Sequence, residues 1–296
     1  MTTPSAVPEA ALGTGKKVAL GLVCVLAGAA PLSYGFIDND LLRFLYTVGV
    51  AVAYLAFTLR ARSDPSLRRY WELAFAFFVL AVVGVLNNLA RNFGSYVLHS
   101  PPVAGNPLAS SVTASVLVQL VETAVAIVTI FVLTRSFGLS LGTVYARPGR
   151  LWALFLATLA VFVLLLVFTA RHQSSLFPTN GMGSQGSFLT LAPALLVLVV
   201  SNGFQEEFLF RGPFLQRYGT HFGGPASVLI SSIVFAIAHL GVTYTPSAIF
   251  FILVAVFPLG LVTAFLMRRT DGIVTPAVLH AGFDVPVYWS FLTYVS

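Results

Sequence analysis

A series of long apolar runs constrains this chain more than any other feature. Each approaches or exceeds the ~20 residues that a helix needs to cross the hydrocarbon core of a bilayer. The runs fall at 18–36, 41–59, 71–90, 109–134, 151–170, 189–211, 225–242, 247–267 and 275–294. In hydrocarbon every backbone N–H and C=O must find a partner within protein, so such runs fold as helices or as closed barrels. No alternation of the barrel kind is present. The expected fold is therefore all-α, a polytopic transmembrane helical bundle of about eight or nine helices. Composition agrees: 57% of the 296 residues are hydrophobic and 9% are charged, whereas soluble domains carry charge at about a quarter of their positions.

The formal net charge is +6. In a soluble chain this would suit an acidic partner, but here its placement has another explanation. Lys16, Lys17, Arg60, Arg62, Arg68, Arg69, Arg135, Arg147, Arg150, Arg268 and Arg269 all fall in loops that alternate along the chain. Arg211 and Arg217 lean to the same side. Only Arg43, Arg91 and Arg171 fall at the other. The positive-inside rule then puts the N-terminus in the cytoplasm, with no nucleic-acid partner expected. Residues 1–15 are small and polar and read as a disordered tail. Residues 16–170 are N-terminal transmembrane helices to which no motif assigns a role, and 171–296 hold the chemistry. The first run follows two lysines and contains Ala-Gly-Ala-Ala, as a cleavable signal peptide would. Its apolar character continues through Leu32, Tyr34 and Phe36, which favours a retained helix. The one cysteine, Cys24, has no partner for an intrachain disulfide and reads as a small core residue.

Ionisable groups in a bilayer are costly and usually face the bundle interior for a reason. In this chain they concentrate in the last hundred residues: Glu206, Glu207, Arg211, His239, His280 and Asp284. Glu207 and Arg211 are spaced i, i+4 and are expected to pair on one helix face. Glu206 lies about 100° around the helix, away from that partner. Taken alone, this stretch also fits a helix end that snorkels to the interface, and a lone His239 is more often a hydrogen-bonded core residue than a ligand. His280 and Asp284 share a face through their own i, i+4 spacing, which serves either a helix-stabilising hydrogen bond or one shared ion. Ala281 and Gly282 between them leave room for close approach of a neighbouring helix or a substrate backbone. Glu122, with Gln119 one turn earlier, reads as interhelical glue.

Position along the helices argues that these groups meet. The sixth and seventh spans read as an antiparallel hairpin with its turn marked by Gly219, Gly223, Gly224 and Pro225. Glu206 and His239 are each ~20 Å from that turn at 1.5 Å per residue, and so are expected at matched depth. Thr275-Pro276 reads as a helix start, which places His280 only ~6 Å in; to meet it, the hairpin must project about 10 Å further. Asn202-Gly203, Pro213 and Pro286 are expected to loosen their helices near the site, freeing backbone groups for an extended substrate.

Glu-Glu-x-x-x-Arg, Phe-x-x-x-His and His-x-x-x-Asn/Asp, in this order on membrane helices, resemble the CAAX-protease and bacteriocin-processing family of intramembrane metalloproteases. The string Glu206-Glu207-Phe208-Leu209-Phe210-Arg211-Gly212 is similar to that family's first motif, and the resemblance spans roughly 190–290, about a third of the chain. It implies metal binding and water activation at Glu206, His239 and His280. Asp284 stands where the eukaryotic prenyl-protein proteases have Asn, which weakens any transfer of their substrate but not of the chemistry.

The implied activity is a metal-dependent endopeptidase that acts in the bilayer on a membrane-associated protein or peptide. Two neutral imidazoles plus a carboxylate suit zinc and leave a position for water. His239 and His280 are the expected ligands, with Asp284 a third ligand or an orienting group. Glu206 is general base or ligand, and Glu207 with Arg211 fixes the helix. Two other readings remain at the level of sequence. One is an ion-coupled transporter, against which stands the lack of any internal repeat. The other is a non-catalytic immunity or scaffold protein.

Overall fold

The computed structural model describes residues 13–37, 39–97, 111–172, 185–241 and 246–295. Among these the chain is helical, without strands. Most of the expected N-terminal tail lies outside the described residues, and α1 begins at Thr14 (Thr14–Ala29). The order continues with α2 (Asp40–Ser63), α3 (Trp71–Val97), α4 (Val112–Ser136), α5 (Trp152–His172) and α6 (Gln185–Phe210). After these come α7 (Leu215–Phe222), α8 (Gly224–Ala238), α9 (Pro246–Phe251), α10 (Phe257–Thr270) and α11 (Val274–Val295). Local chemistry sets several ends. Asn39 and Ser111 cap α2 and α4 by accepting from the amides of Leu42 and Ala114, which satisfies donors that a helix start leaves free. A π-turn at Ile252–Val256 joins α9 to α10 just before Pro258, whose ring cannot fit a regular helix interior.

Seven segments among the described residues are long and apolar enough to cross a membrane. The other two expected runs became α8 and α11. At 15 residues, α8 covers only about 22 Å. α11 has a span's length but carries His280, Asp284 and Pro286, and it lies inside the bundle against α5, α6 and α10. The lipid-facing character therefore belongs to helices such as α2 and α5, whose windows are only 11% buried.

The sixth and seventh spans do not form the simple hairpin expected. α6 stops at Phe210, just before Gly212-Pro213, and packs mainly on α11 and α4, with little contact to α8. α8 packs instead on α10 and α7. Gly219 is inside α7, and the reversal comes at Gly223, whose φ of +84° glycine adopts without strain. The residues after α6 form a separate short helix, α7.

The basic loops gather at one end of the bundle. Arg147 pairs with Asp271, the Ile273 amide donates to the Arg147 carbonyl, and the Arg150 amide donates to the Thr270 carbonyl. Gln216 donates to the Gly142 carbonyl at 3.1 Å, Arg217 lies 3.7 Å from Glu72, and Tyr70 stacks on His221. Loops that alternate along the sequence are therefore neighbours in space. Cys24 is a buried free thiol in the core formed with Phe77, Phe214, Tyr218 and Phe235.

Candidate active site

Three consecutive residues near the end of α6 point three ways, as ~100° per residue dictates. Gln205 faces α4, where Gln119 Nε2 and Thr123 Oγ1 donate to its carbonyl oxygen at 2.8 and 2.9 Å. Glu207 faces inward with no exposure. Glu206 is between them, 21% exposed.

The expected pair forms: Arg211 Nη1 lies 3.2 Å from Glu207 Oε1, both side chains wholly buried. The three guanidinium nitrogens make no hydrogen bond, and the group lies over the Phe235 ring at 3.9 Å, an attraction that strengthens away from water. Arg211 is therefore an interior residue rather than a topological one. Glu207 has a second partner that spacing along α6 could not reveal. His280 Nδ1 lies 2.8 Å from Glu207 Oε1.

Glu206 Oε2 stands 3.4 Å from His280 Nε2 and 3.9 Å from His239 Nε2. The expected match in depth is realised. His239 ends α8, and its Nδ1 lies 2.9 Å from the Phe235 carbonyl one turn back. Asp284 Oδ1 is 3.8 Å from His280 Nε2, and Asp284 Oδ2 accepts from Asn202 Nδ2 at 3.0 Å. All the singled-out residues therefore come together on α6, α8 and α11.

Asn202 and Gly203 act differently from the loosening expected of them. Asn202 orients Asp284 and lies one turn before Glu206. Gly203 is where α6 and α11 touch: a Cβ there would lie 2.7 Å from the Ala277 carbonyl oxygen and 3.1 Å from the Ala281 nitrogen. The small residues of α11 admit helices on both sides, since a Cβ at Gly282 would come 3.0 Å from the Phe162 backbone of α5. α6 runs unbroken through Asn202-Gly203, and α11 through Pro286.

The hydrogen bonds fix the chemistry of the two imidazoles. A carbonyl or carboxylate oxygen only accepts, so each Nδ1 carries a proton and donates it, to Phe235 O and to Glu207 Oε1. A neutral ring held in this way turns its Nε2 lone pair toward Glu206. Glu206 Oε2 is itself buried without a hydrogen-bond partner. Lone pairs facing a carboxylate repel unless a proton or cation lies among them.

Among the described residues no group of three or more His, Cys, Asp or Glu side chains is placed so as to hold a metal ion. The pairwise separations are nonetheless close to what one would need. Ligands bonded at ~2.0–2.2 Å in a tetrahedron are about 3.4 Å apart. The His280–Glu206 pair is at that distance, and the His280–Asp284 and His239–Glu206 pairs are wider, at 3.8 and 3.9 Å. Imidazoles held from behind through Nδ1, with carboxylates beside them, are donors of the kind that zinc takes.

The family described as Type II CAAX prenyl endopeptidase Rce1-like matches residues 188–286, from early α6 to Pro286 of α11. The match contains every residue of the cluster. Comparison with curated proteins and with solved structures gives no match. With the seven spans, the family match makes this a multi-pass integral membrane protein and points to proteolysis within the membrane.

Proposed function

With residues 188–286 matching the Rce1-like type II CAAX prenyl endopeptidases, we propose that this protein is a metal-dependent endopeptidase that cleaves a membrane-associated protein or peptide. One observation carries the reading. Glu206 Oε2, buried and without a hydrogen-bond partner, faces the Nε2 atoms of both His239 and His280. His239 and His280 would hold the ion, most simply Zn²⁺, together with Asp284 or Glu206. When bound, such an ion polarises the scissile carbonyl and lowers the pKa of water toward 7.

The side chains supply the rest. Glu206 takes a proton from water as its oxygen adds to the scissile carbonyl carbon, and returns that proton to the departing amine nitrogen as the C–N bond breaks. Glu207 holds the His280 Nδ1 proton and so keeps Nε2 free. Arg211 balances the Glu207 charge, the Phe235 carbonyl does for His239 what Glu207 does for His280, and Asn202 aims Asp284. The end that carries the basic loops is read as cytoplasmic by the positive-inside rule.

The test is purified protein in detergent or vesicles with membrane-peptide substrates. About one zinc per chain, with cleavage lost on chelation and restored by zinc, supports the reading. Cleavage that survives complete removal of metal rules it out. Glu206→Gln separates the two roles of that residue: a general base leaves metal content intact while the rate falls, and a ligand loses both.

A further inference from the structure

The family match begins at Phe188, yet α4, which precedes it, reaches the level of the site with polar side chains. Gln119 and Thr123, one turn apart on α4, both donate to Gln205 Oε1 of α6 at 2.8 and 2.9 Å. The Thr123 hydroxyl also lies 3.3 Å from the Ser201 carbonyl. The other end of the Gln119 amide lies 3.5 Å from the hydroxyl of Tyr288 on α11, at the outer limit of hydrogen bonding. Gln119 thus stands where α4, α6 and α11 meet, 5% exposed.

We infer that Gln119 and Thr123 are positioning residues: together they form a rotational lock on α6 that aims the Glu206 carboxylate. Gln205 and Glu207 flank Glu206 and point about 200° apart around the helix. Gln205 is tied to α4. Glu207 is tied to His280 of α11 at 2.8 Å and to Arg211. The helix is therefore held on both sides of the residue between. A carboxylate about 5–6 Å from the helix axis moves by ~1 Å for every ~10° of rotation. An error of that size costs on the order of a hundredfold in rate when the reacting geometry is tight. The Gly203 contact adds to the need for such a lock. It brings the α6 and α11 backbones together with no side chain interposed, so that point resists sliding but offers little against rotation.

This inference rests on the endopeptidase reading, so the experiment has one arm that depends on catalysis and one that does not. Gln119→Met/Thr123→Val preserves volume closely and removes both donors. Its kcat per metal-loaded chain is expected to fall about 10–100-fold with KM within about twofold of wild type. Thr123→Ser keeps the hydroxyl and retains most of the rate. The second arm uses Cys24→Ala protein with nitroxides at Val128 of α4 and Val200 of α6, both exposed. The double substitution should shift or broaden their distance distribution. An unchanged kcat, or an unchanged distribution, overturns the lock. A wild-type protein that cleaves nothing defeats the endopeptidase reading instead, and the distance arm then decides the lock alone. Gln119→Met serves both arms if the double variant does not fold.

Discussion

Two of the charged clusters among the described helices arrange their partners in opposite ways. Arg91 of α3 and Glu122 of α4 close on each other with two parallel hydrogen bonds, Nε to Oε1 at 2.6 Å and Nη2 to Oε2 at 3.0 Å. Both carboxylate oxygens are used, in the forked geometry that suits guanidinium best. Glu206 has no such closure. Its Oε2 lacks a hydrogen-bond partner and faces the Nε2 atoms of two imidazoles at 3.4 and 3.9 Å. The first cluster is saturated, as a pair that fastens α3 to α4 should be. The second is held open by groups standing behind it: Glu207, the Phe235 carbonyl and Asn202 each take the far side of a functional side chain. The Arg91–Glu122 pair uses both carboxylate oxygens, whereas Glu206 is supported by its neighbours and keeps an unbonded oxygen.

Substitutions can break or sharpen that contrast. The largest effect is expected from His239→Ala, which removes an imidazole from the open cluster. Peptide cleavage should fall by about 10⁴-fold or more and bound zinc should be lost, while membrane insertion and thermal stability change little. Metal analysis beside a cleavage assay checks this, and retained zinc with retained activity would contradict it. Glu207→Gln comes next. The His280 Nδ1 proton keeps an acceptor but loses a charged one, so metal affinity or kcat should drop about 10–100-fold. The same change leaves Arg211 buried without its counter-charge, so the melting temperature should fall as well.

The closed cluster should respond in stability and not in rate. Arg91→Ala strands Glu122, whose side chain is 6% exposed. Complete burial of an unpaired charge costs 3–5 kcal/mol, but Arg91 is 38% exposed, so about 1–3 kcal/mol is expected, read as a lower melting temperature with kcat within about twofold. The smallest effect belongs to Arg91→Leu/Glu122→Leu, which removes both charges. Stability should return to within about 1 kcal/mol of wild type, since a buried ion pair can be replaced by well-packed apolar side chains at little net cost. A double substitution that abolishes cleavage would show that the Arg91–Glu122 pair also serves the chemistry.

Several of these features were legible along the chain. The apolar runs required membrane helices. The i, i+4 spacing of Glu207 and Arg211 gave their ion pair, and counting residues to the glycine-rich turn gave the matched depth of Glu206 and His239. The alternation of basic loops foretold that residues as distant as Gly142 and Gln216 would meet at one end. Other features were not legible. Glu207 serves His280 from 73 residues away, Gln119 reaches Gln205 across 86, and Asn202 takes Asp284 where a loosened backbone was expected. A projecting hairpin of the sixth and seventh spans was expected, whereas the break at Gly212-Pro213 makes α7 a helix of its own.

By itself the sequence determined what each helix offers: its length, the face on which its polar groups lie, and their depth from its ends. Those follow from the fixed rise and turn of a helix and from the cost of leaving backbone groups unpaired in lipid. Only the tertiary structure decided which faces meet. How closely one helix approaches another depends on contacts such as Gly203 against Ala277 and Ala281, and how it is rotated depends on ties such as Gln205 to Gln119; both depend on the shapes of two surfaces at once.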